Sequence, residues 1–183
     1  MKSPMELALD YLSRRSFSRR ELEMRLAAKG FAQGDIDQTI ARVLEWGYLD
    51  DRRYALAYCT AHRERYSRRQ VTEALRSRGI DGEIINGVMQ ESYSAEDEYR
   101  TCLMVARRIW PELLRQATRQ RLDSGGGTGS GPDDLEQSGY DLTGQKMVLG
   151  SLRDKAGRKL AQKGFPLGII RAVLGQLPQA ENL

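Results

Sequence analysis

One helical phrase is written three times in this chain. Residues 18–31 read SRRELEMRLAAKGF, residues 67–80 read SRRQVTEALRSRGI, and residues 152–165 read LRDKAGRKLAQKGF. Leu26, Leu75 and Leu160 hold the same place in each copy, and so do Gly30, Gly79 and Gly164. Each copy closes on a basic residue, a glycine and an apolar residue, and isoleucines follow: Ile36 and Ile40, Ile84 and Ile85, Ile169 and Ile170. A glycine after the last apolar position is the usual stop of an α-helix, because it accepts the left-handed backbone there without strain. A helical phrase recurring at intervals of this size implies a chain built from similar helical units.

The starts of the helices are equally legible. SPME at 3–6, SRRE at 18–21 and SRRQ at 67–70 are capping boxes. In each, the serine hydroxyl takes the N–H three residues on, and the Glu or Gln reaches back. Following caps and stops gives three modules: residues 1–48, 49–93 and 94–183. The first is expected to bury Met5, Ala8, Leu9, Leu12, Leu22, Leu26, Ile36, Ile40, Val43 and Leu44. In the second, Asp50 caps a helix through Tyr54, Tyr58 and Ala61, and Val71, Leu75, Val88 and Met89 turn inward. The third starts at Ser94, with Asp97 three residues on, and carries an apolar stripe through Tyr99, Cys102, Leu103, Ala106 and Ile109. Pro111 is expected to interrupt that helix. A Gly/Ser-rich acidic insertion over about 123–145 follows, too polar to order itself, with helix resuming near Gln145.

Charge is uneven. Residues 123–145 contain Asp123, Asp133, Asp134, Glu136 and Asp141 and no Lys or Arg, within a chain whose formal net charge is +4. The remainder therefore carries +9, a basic helical body suited to phosphates or an acidic protein surface. Arginines cluster at two matching places: Arg14, Arg15, Arg19 and Arg20 in RRSFSRR, and Arg63, Arg65, Arg68 and Arg69 in RERYSRR. Arg19 and Arg20, like Arg68 and Arg69, open a helix, where positive charge opposes the macrodipole. A basic face aimed at a partner and a solvated rim inherited by duplication both fit this pattern. Phe17 and Tyr66 precede the two caps. They read as hydrophobic staples packed on the following helix, with stacking on exposed bases as the sharper alternative.

Catalytic chemistry finds little to work with. His62 is the sole histidine, in the basic helical stretch CTAHRERY, without an obvious carboxylate or cysteine partner. Asp50 and Asp51 are explained by their place at a helix start. GGGTGSG lacks the Lys-Ser/Thr of a phosphate loop and follows no strand. Cys59 and Cys102 lie in apolar helical patterns, so neither a disulfide nor a zinc site is expected, and a cytoplasmic setting fits. No apolar run reaches membrane-spanning length, and the start lacks the apolar core of a secretion signal. The reading is of a non-enzyme without cofactor or metal.

GYLDDRRYALAY at 47–58 adds what periodicity cannot. With SRRELEMRLAAKGF upstream and LRSRGI downstream, it closely resembles the RecX family of bacterial recombination regulators, strongly over residues 5–110 and more weakly over LRDKAGRKLAQKGFPLGIIRAVL. The resemblance implies an all-α fold of three tandem three-helix, helix-turn-helix-like repeats in an elongated, curved arrangement. It also implies binding to the RecA recombinase, particularly its filament on single-stranded DNA, and restraint of its recombinase and ATPase activities. Some members bind single- or double-stranded DNA directly. A monomer without membrane partners is expected, with the eight arginines above as the contact face. The alternative is a sequence-independent nucleic-acid-binding helical protein. Two features depart from the family: the Gly-rich acidic insertion, and RERYSRR where members often have a Gly-containing turn.

Overall fold

The computed structural model describes residues 2–124 and 142–177, with side chains described outside 121–124 and 142–147. The described residues contain nine α-helices and no strand. They are α1 Pro4–Arg14, α2 Arg19–Ala27, α3 Gln33–Glu45, α4 Asp51–His62, α5 Arg68–Ser77, α6 Gly82–Ser92, α7 Ala95–Ser124, α8 Leu142–Gln162 and α9 Leu167–Gly175. The chain divides into two compact units, Met1–Asp97 and Glu98–Leu183.

All three expected capping boxes form. Ser3, Ser18 and Ser67 each accept from the N–H three residues on, and Glu6, Glu21 and Gln70 each accept from the cap's own N–H. The stops form as well. Gly30, Gly47, Gly79 and Gly164 have φ of 84°, 70°, 76° and 85°, the left-handed conformation that only glycine adopts at little cost.

In the first unit, α1–α3 enclose Ala8, Phe17, Leu22, Leu26, Ile36, Ile40, Val43 and Leu49. Helices α4–α6 enclose Ala55, Cys59, Val71, Leu75, Ile80, Ile85, Val88, Met89 and Tyr93. Leu44, expected inside, is exposed; Leu49 from the α3–α4 turn fills the core instead. A fully buried Leu or Ile contributes about 1.5–3 kcal/mol, so each cluster can hold its helices together without a metal or disulfide.

In the second unit, α7–α9 enclose Cys102, Ala106, Trp110, Leu113, Leu149, Leu152, Ala156, Leu160, Phe165, Ile170, Val173 and Leu177. Here the structure corrects the sequence reading. Helix α7 does not stop at Pro111 but continues to Ser124. Proline lacks the N–H that would bond back one turn, a loss of roughly 3 kcal/mol in a helix interior. Pro111 itself is exposed, whereas Trp110 and Leu113 on either side of it are buried. Burial of that stripe offsets the missing bond. The expected insertion is also trimmed at both ends, since 123–124 belong to α7 and 142–145 to α8. Its remainder, 125–141 with GGGTGSG, lies outside the described residues.

Candidate partner-binding surface of the first unit

The GYLDD element assembles the first unit by giving each residue a separate task. Gly47 takes the left-handed turn that ends α3. The N–H groups of Tyr48 and Leu49 both bond to the Val43 carbonyl, at 3.0 and 3.3 Å. Leu49 then enters the core. Asp50 caps α4 by accepting from the Arg53 N–H at 2.9 Å. Asp51 reaches away from α4 and accepts the Arg19 N–H at 2.8 Å, satisfying an open donor at the start of α2. Burial pushes the Asp51 carboxyl above its ordinary range, against the lowering effect of that N–H.

Ser18 and Glu21 extend the same junction. The Ser18 hydroxyl caps α2 and also donates to the Arg78 carbonyl at 2.7 Å, so one side chain serves the start of α2 and the end of α5. Glu21 lies 3.7 Å from Arg15 and 3.7 Å from Arg78, and accepts from the Tyr54 hydroxyl at 3.4 Å. The Arg78 guanidinium lies 4.6 Å from the centre of the Tyr58 ring. Beside it, the aliphatic stem of Arg20 crosses Gly79, where an added Cβ would sit 2.6 Å from Arg20 Cβ. α2 is thereby locked to α4 and to the end of α5 by contacts 32 and 60 residues apart in sequence.

Against this frame six of the eight arginines separate into two groups, while Arg20 enters no ion pair among the described residues and lays its stem over Gly79. All eight are exposed. Arg14 pairs with Asp10 at 3.1 Å, and Arg15 with Glu21 at 3.7 Å. Arg19 pairs with Glu23 at 2.8 Å, which raises the guanidinium pKa further, chiefly through that hydrogen bond. The charge at the start of α2 is therefore answered locally, by Glu21, Glu23 and Asp51. The start of α5 differs: its first turn holds no acidic residue. Arg65, Arg68 and Arg69 enter no ion pair among the described residues. Cation placement against the dipole, noticed in both copies of the phrase, is uncompensated only in the second.

Phe17 and Tyr66 also part company. Phe17 is 4% exposed, tilted against Tyr11, with the Arg15 and Arg25 guanidinium carbons 3.7 and 5.0 Å from its ring centre. The staple reading holds there and base stacking is ruled out. Tyr66 is 43% exposed, and the staple reading fails for it. It ends an aromatic ladder along α4 at four-residue spacing. Tyr54 and Tyr58 stack with centroids 6.4 Å apart, Tyr58 and His62 at 4.0 Å, and Tyr66 tilts over His62 at 5.6 Å. His62 Nδ1 lies 2.9 Å from the Tyr58 carbonyl, which can only accept, so this nitrogen carries a hydrogen. Sequence reasoning saw His62 as an isolated helix residue and missed the ladder, although the i, i+4 spacing of its four rings was there to be read.

Trp46 and Tyr48, 51% and 57% exposed, were also missed as surface aromatics; they meet edge to face at 6.3 Å. A shallow cleft between α1 and α3, lined by Pro4, Met5, Asp35, Gln38, Thr39 and Arg42, offers no nucleophile–base pair. Among the described residues no cluster of His, Cys, Asp and Glu could hold a metal, and no helix is long and apolar enough to cross a membrane.

This architecture has known counterparts. The family model for the first three-helix domain of RecX matches residues 5–42, and that for the second three-helix domain matches residues 50–89. A regulatory protein RecX from Stenotrophomonas maltophilia is 30% identical over 172 residues, covering 93% of this chain and 84% of its own. The chain belongs to the RecX family. A RecX protein of Thermus thermophilus is 35% identical over 85 residues, or 46% of this chain, and the match spans only 59% of that relative's length. The crystal structure of RecX from Lactobacillus salivarius superposes with a TM-score of 0.66 at 19% identity, covering 95% of this chain and 94% of that one. The fold is therefore that of RecX proteins, and the arginines of α2 and α5 lie within or beside the two matched RecX domains.

Proposed function

We propose that this chain is a non-enzymatic, cytoplasmic regulator of the RecA recombinase. It docks as a monomer on the RecA–DNA filament and restrains strand exchange and ATP turnover. Family membership supports the partner. The observation that supports the docking surface is the uncompensated cation cluster at the start of α5, Arg65, Arg68 and Arg69, in contrast to Arg14, Arg15 and Arg19 around the start of α2, which are answered by carboxylates. The full contact face comprises Arg14, Arg15, Arg19, Arg20, Arg63, Arg65, Arg68 and Arg69. A filament repeats its acidic surface, so a basic face touching more than one protomer gains avidity from individually weak contacts.

Titration against RecA ATPase activity on single-stranded DNA tests this directly. Inhibition at low ratios of this chain to RecA is the expected result; unchanged turnover at equimolar protein would overturn the reading. Arg65, Arg68 and Arg69 replaced together by Glu should weaken inhibition and leave the helical circular dichroism intact. Arg20 is left alone in this variant because its stem packs on Gly79. The second reading, a sequence-independent nucleic-acid binder, is favoured by the same cations. It predicts binding to naked duplex with steep salt dependence and no selective effect on RecA.

A further inference from the structure

We propose that Tyr66 and the arginines around it form a stacking site for an unpaired base of a single-stranded nucleic acid. This rests on the nucleic-acid-binding reading given above and adds to it the residue that selects unpaired bases.

Three observations meet at this place. The first is the contrast between matching positions. Phe17 is spent internally, buried and covered by Tyr11, Arg15 and Arg25, while Tyr66 is 43% exposed. The second is support from below. Tyr66 rests on His62, which rests on Tyr58, and the Tyr66 carbonyl accepts from the Tyr93 hydroxyl at 3.2 Å. An exposed ring held at the end of a stack loses little freedom when a further flat ring is added to it. The third is charge. Arg63, Arg65, Arg68 and Arg69 lie within three residues of Tyr66, all exposed, with Glu64 the single carboxylate among them. The last three of these arginines enter no ion pair among the described residues.

Aromatic platforms flanked by cations are what binding to single strands requires. Every base presents a π-face, and the phosphates between bases need counter-charge. In a duplex the base faces are already stacked on one another, so Tyr66 discriminates in favour of unpaired bases. Folding does not ask for two arginines at the start of α5, where they oppose the macrodipole. A phosphate beside them would remove that cost.

The test compares a fluorescently labelled oligothymidylate with an abasic oligonucleotide of equal length and charge, using the intact protein without RecA. Anisotropy should show the thymidylate binding about 5- to 150-fold more tightly, the range for stacking one base. Tyr66→Ala should abolish that preference and leave affinity for the abasic strand unchanged, while Tyr66→Phe keeps it. Arg65, Arg68 and Arg69 changed together to Ala should weaken both strands alike and flatten the salt dependence. Equal affinity of the unaltered protein for the two strands would overturn the proposal without any variant. So would a preference that survives Tyr66→Ala. Neither outcome bears on RecA inhibition, which is measured separately.

Discussion

The hydroxyl of Ser18 donates to the carbonyl of Arg78 at 2.7 Å, and the same oxygen accepts the Glu21 N–H at 3.1 Å. One buried serine thus caps the start of α2 and completes the end of α5. Ser3 caps α1 with the same box in an exposed setting. Replacing Ser3 by Ala should cost what an N-cap is worth, about 1 kcal/mol. Ser18→Ala loses the cap and leaves a carbonyl without its partner, adding about 1–3 kcal/mol. Urea denaturation of both variants checks the difference; equal losses would mean that the Arg78 contact contributes nothing.

Gly30 and Gly79 end equivalent helices at nearly the same φ, 84° and 76°. Alanine at either must enter the left-handed region, a penalty of about 1–2 kcal/mol. Around Gly30 nothing lies within 4 Å of a built Cβ, whereas at Gly79 the Cβ, Cγ and Cδ of Arg20 all stand in the way. Gly79→Ala is therefore expected to lower the urea midpoint more than Gly30→Ala. Adding Arg20→Ala should restore part of the excess. It removes Cγ and Cδ but leaves the Cβ that lies 2.6 Å from the new methyl.

Much of this fold is written locally. Ser3, Ser18 and Ser67 announce helix starts, and Gly30, Gly79 and Gly164 announce stops, because cap and stop chemistry acts within four residues. Long-range partners carry no such mark. Nothing near Asp51 in sequence points to the Arg19 N–H, and nothing near Ser18 points to Arg78. Pro111 misled for a related reason: its local penalty was readable, but the burial of Trp110 and Leu113 that outweighs it depends on α8 and α9. In the candidate site, the arginine clusters were visible as types. Their division into answered and unanswered cations depended on where Asp10, Glu21, Glu23 and Asp51 come to rest. The repeat itself predicted that Phe17 and Tyr66 would behave alike, and only tertiary packing separates them.

Asp51 provides a pH test. Its carboxyl titrates above the ordinary value of 3.8, mainly through burial. The folded state therefore holds this proton more tightly than the unfolded state does. As pH rises from 3.8 through the folded pKa, the unfolded chain ionises first and stability is lost. Asp51→Asn keeps an oxygen to accept the Arg19 N–H and removes the titration. The stability of the parent minus that of Asp51→Asn should accordingly fall as pH rises across this window, read from urea midpoints at a series of pH values. Asp51→Ala, which leaves the Arg19 N–H without its acceptor, should be less stable than Asp51→Asn by about 1 kcal/mol at neutral pH. A difference between parent and Asn variant that grows with pH would contradict the burial argument.

Cys59 and Cys102 are both fully buried, and burial pushes their thiols up to about 11 and about 12. Thiolate is the reactive form, so at pH 8 the native protein offers almost none of it, and offers it behind packed side chains. A chromogenic disulfide reagent should label neither cysteine quickly under native conditions, and both at once in denaturant. The two residues lie in different compact units, Cys59 in Met1–Asp97 and Cys102 in Glu98–Leu183. Labelling through intermediate urea concentrations, resolved by mass spectrometry of the two peptides, therefore reports the opening of each unit separately. Raising the pH adds a second reading. Unfolded thiols ionise near 9 and folded ones only near 11 or 12, so stability drains away as pH climbs through that interval. Cys59→Ala should remove the part of this loss that belongs to the first unit, and Cys102→Ala the part that belongs to the second. Rapid labelling of either cysteine in the native protein would show that its helix opens locally, without unfolding of the unit around it.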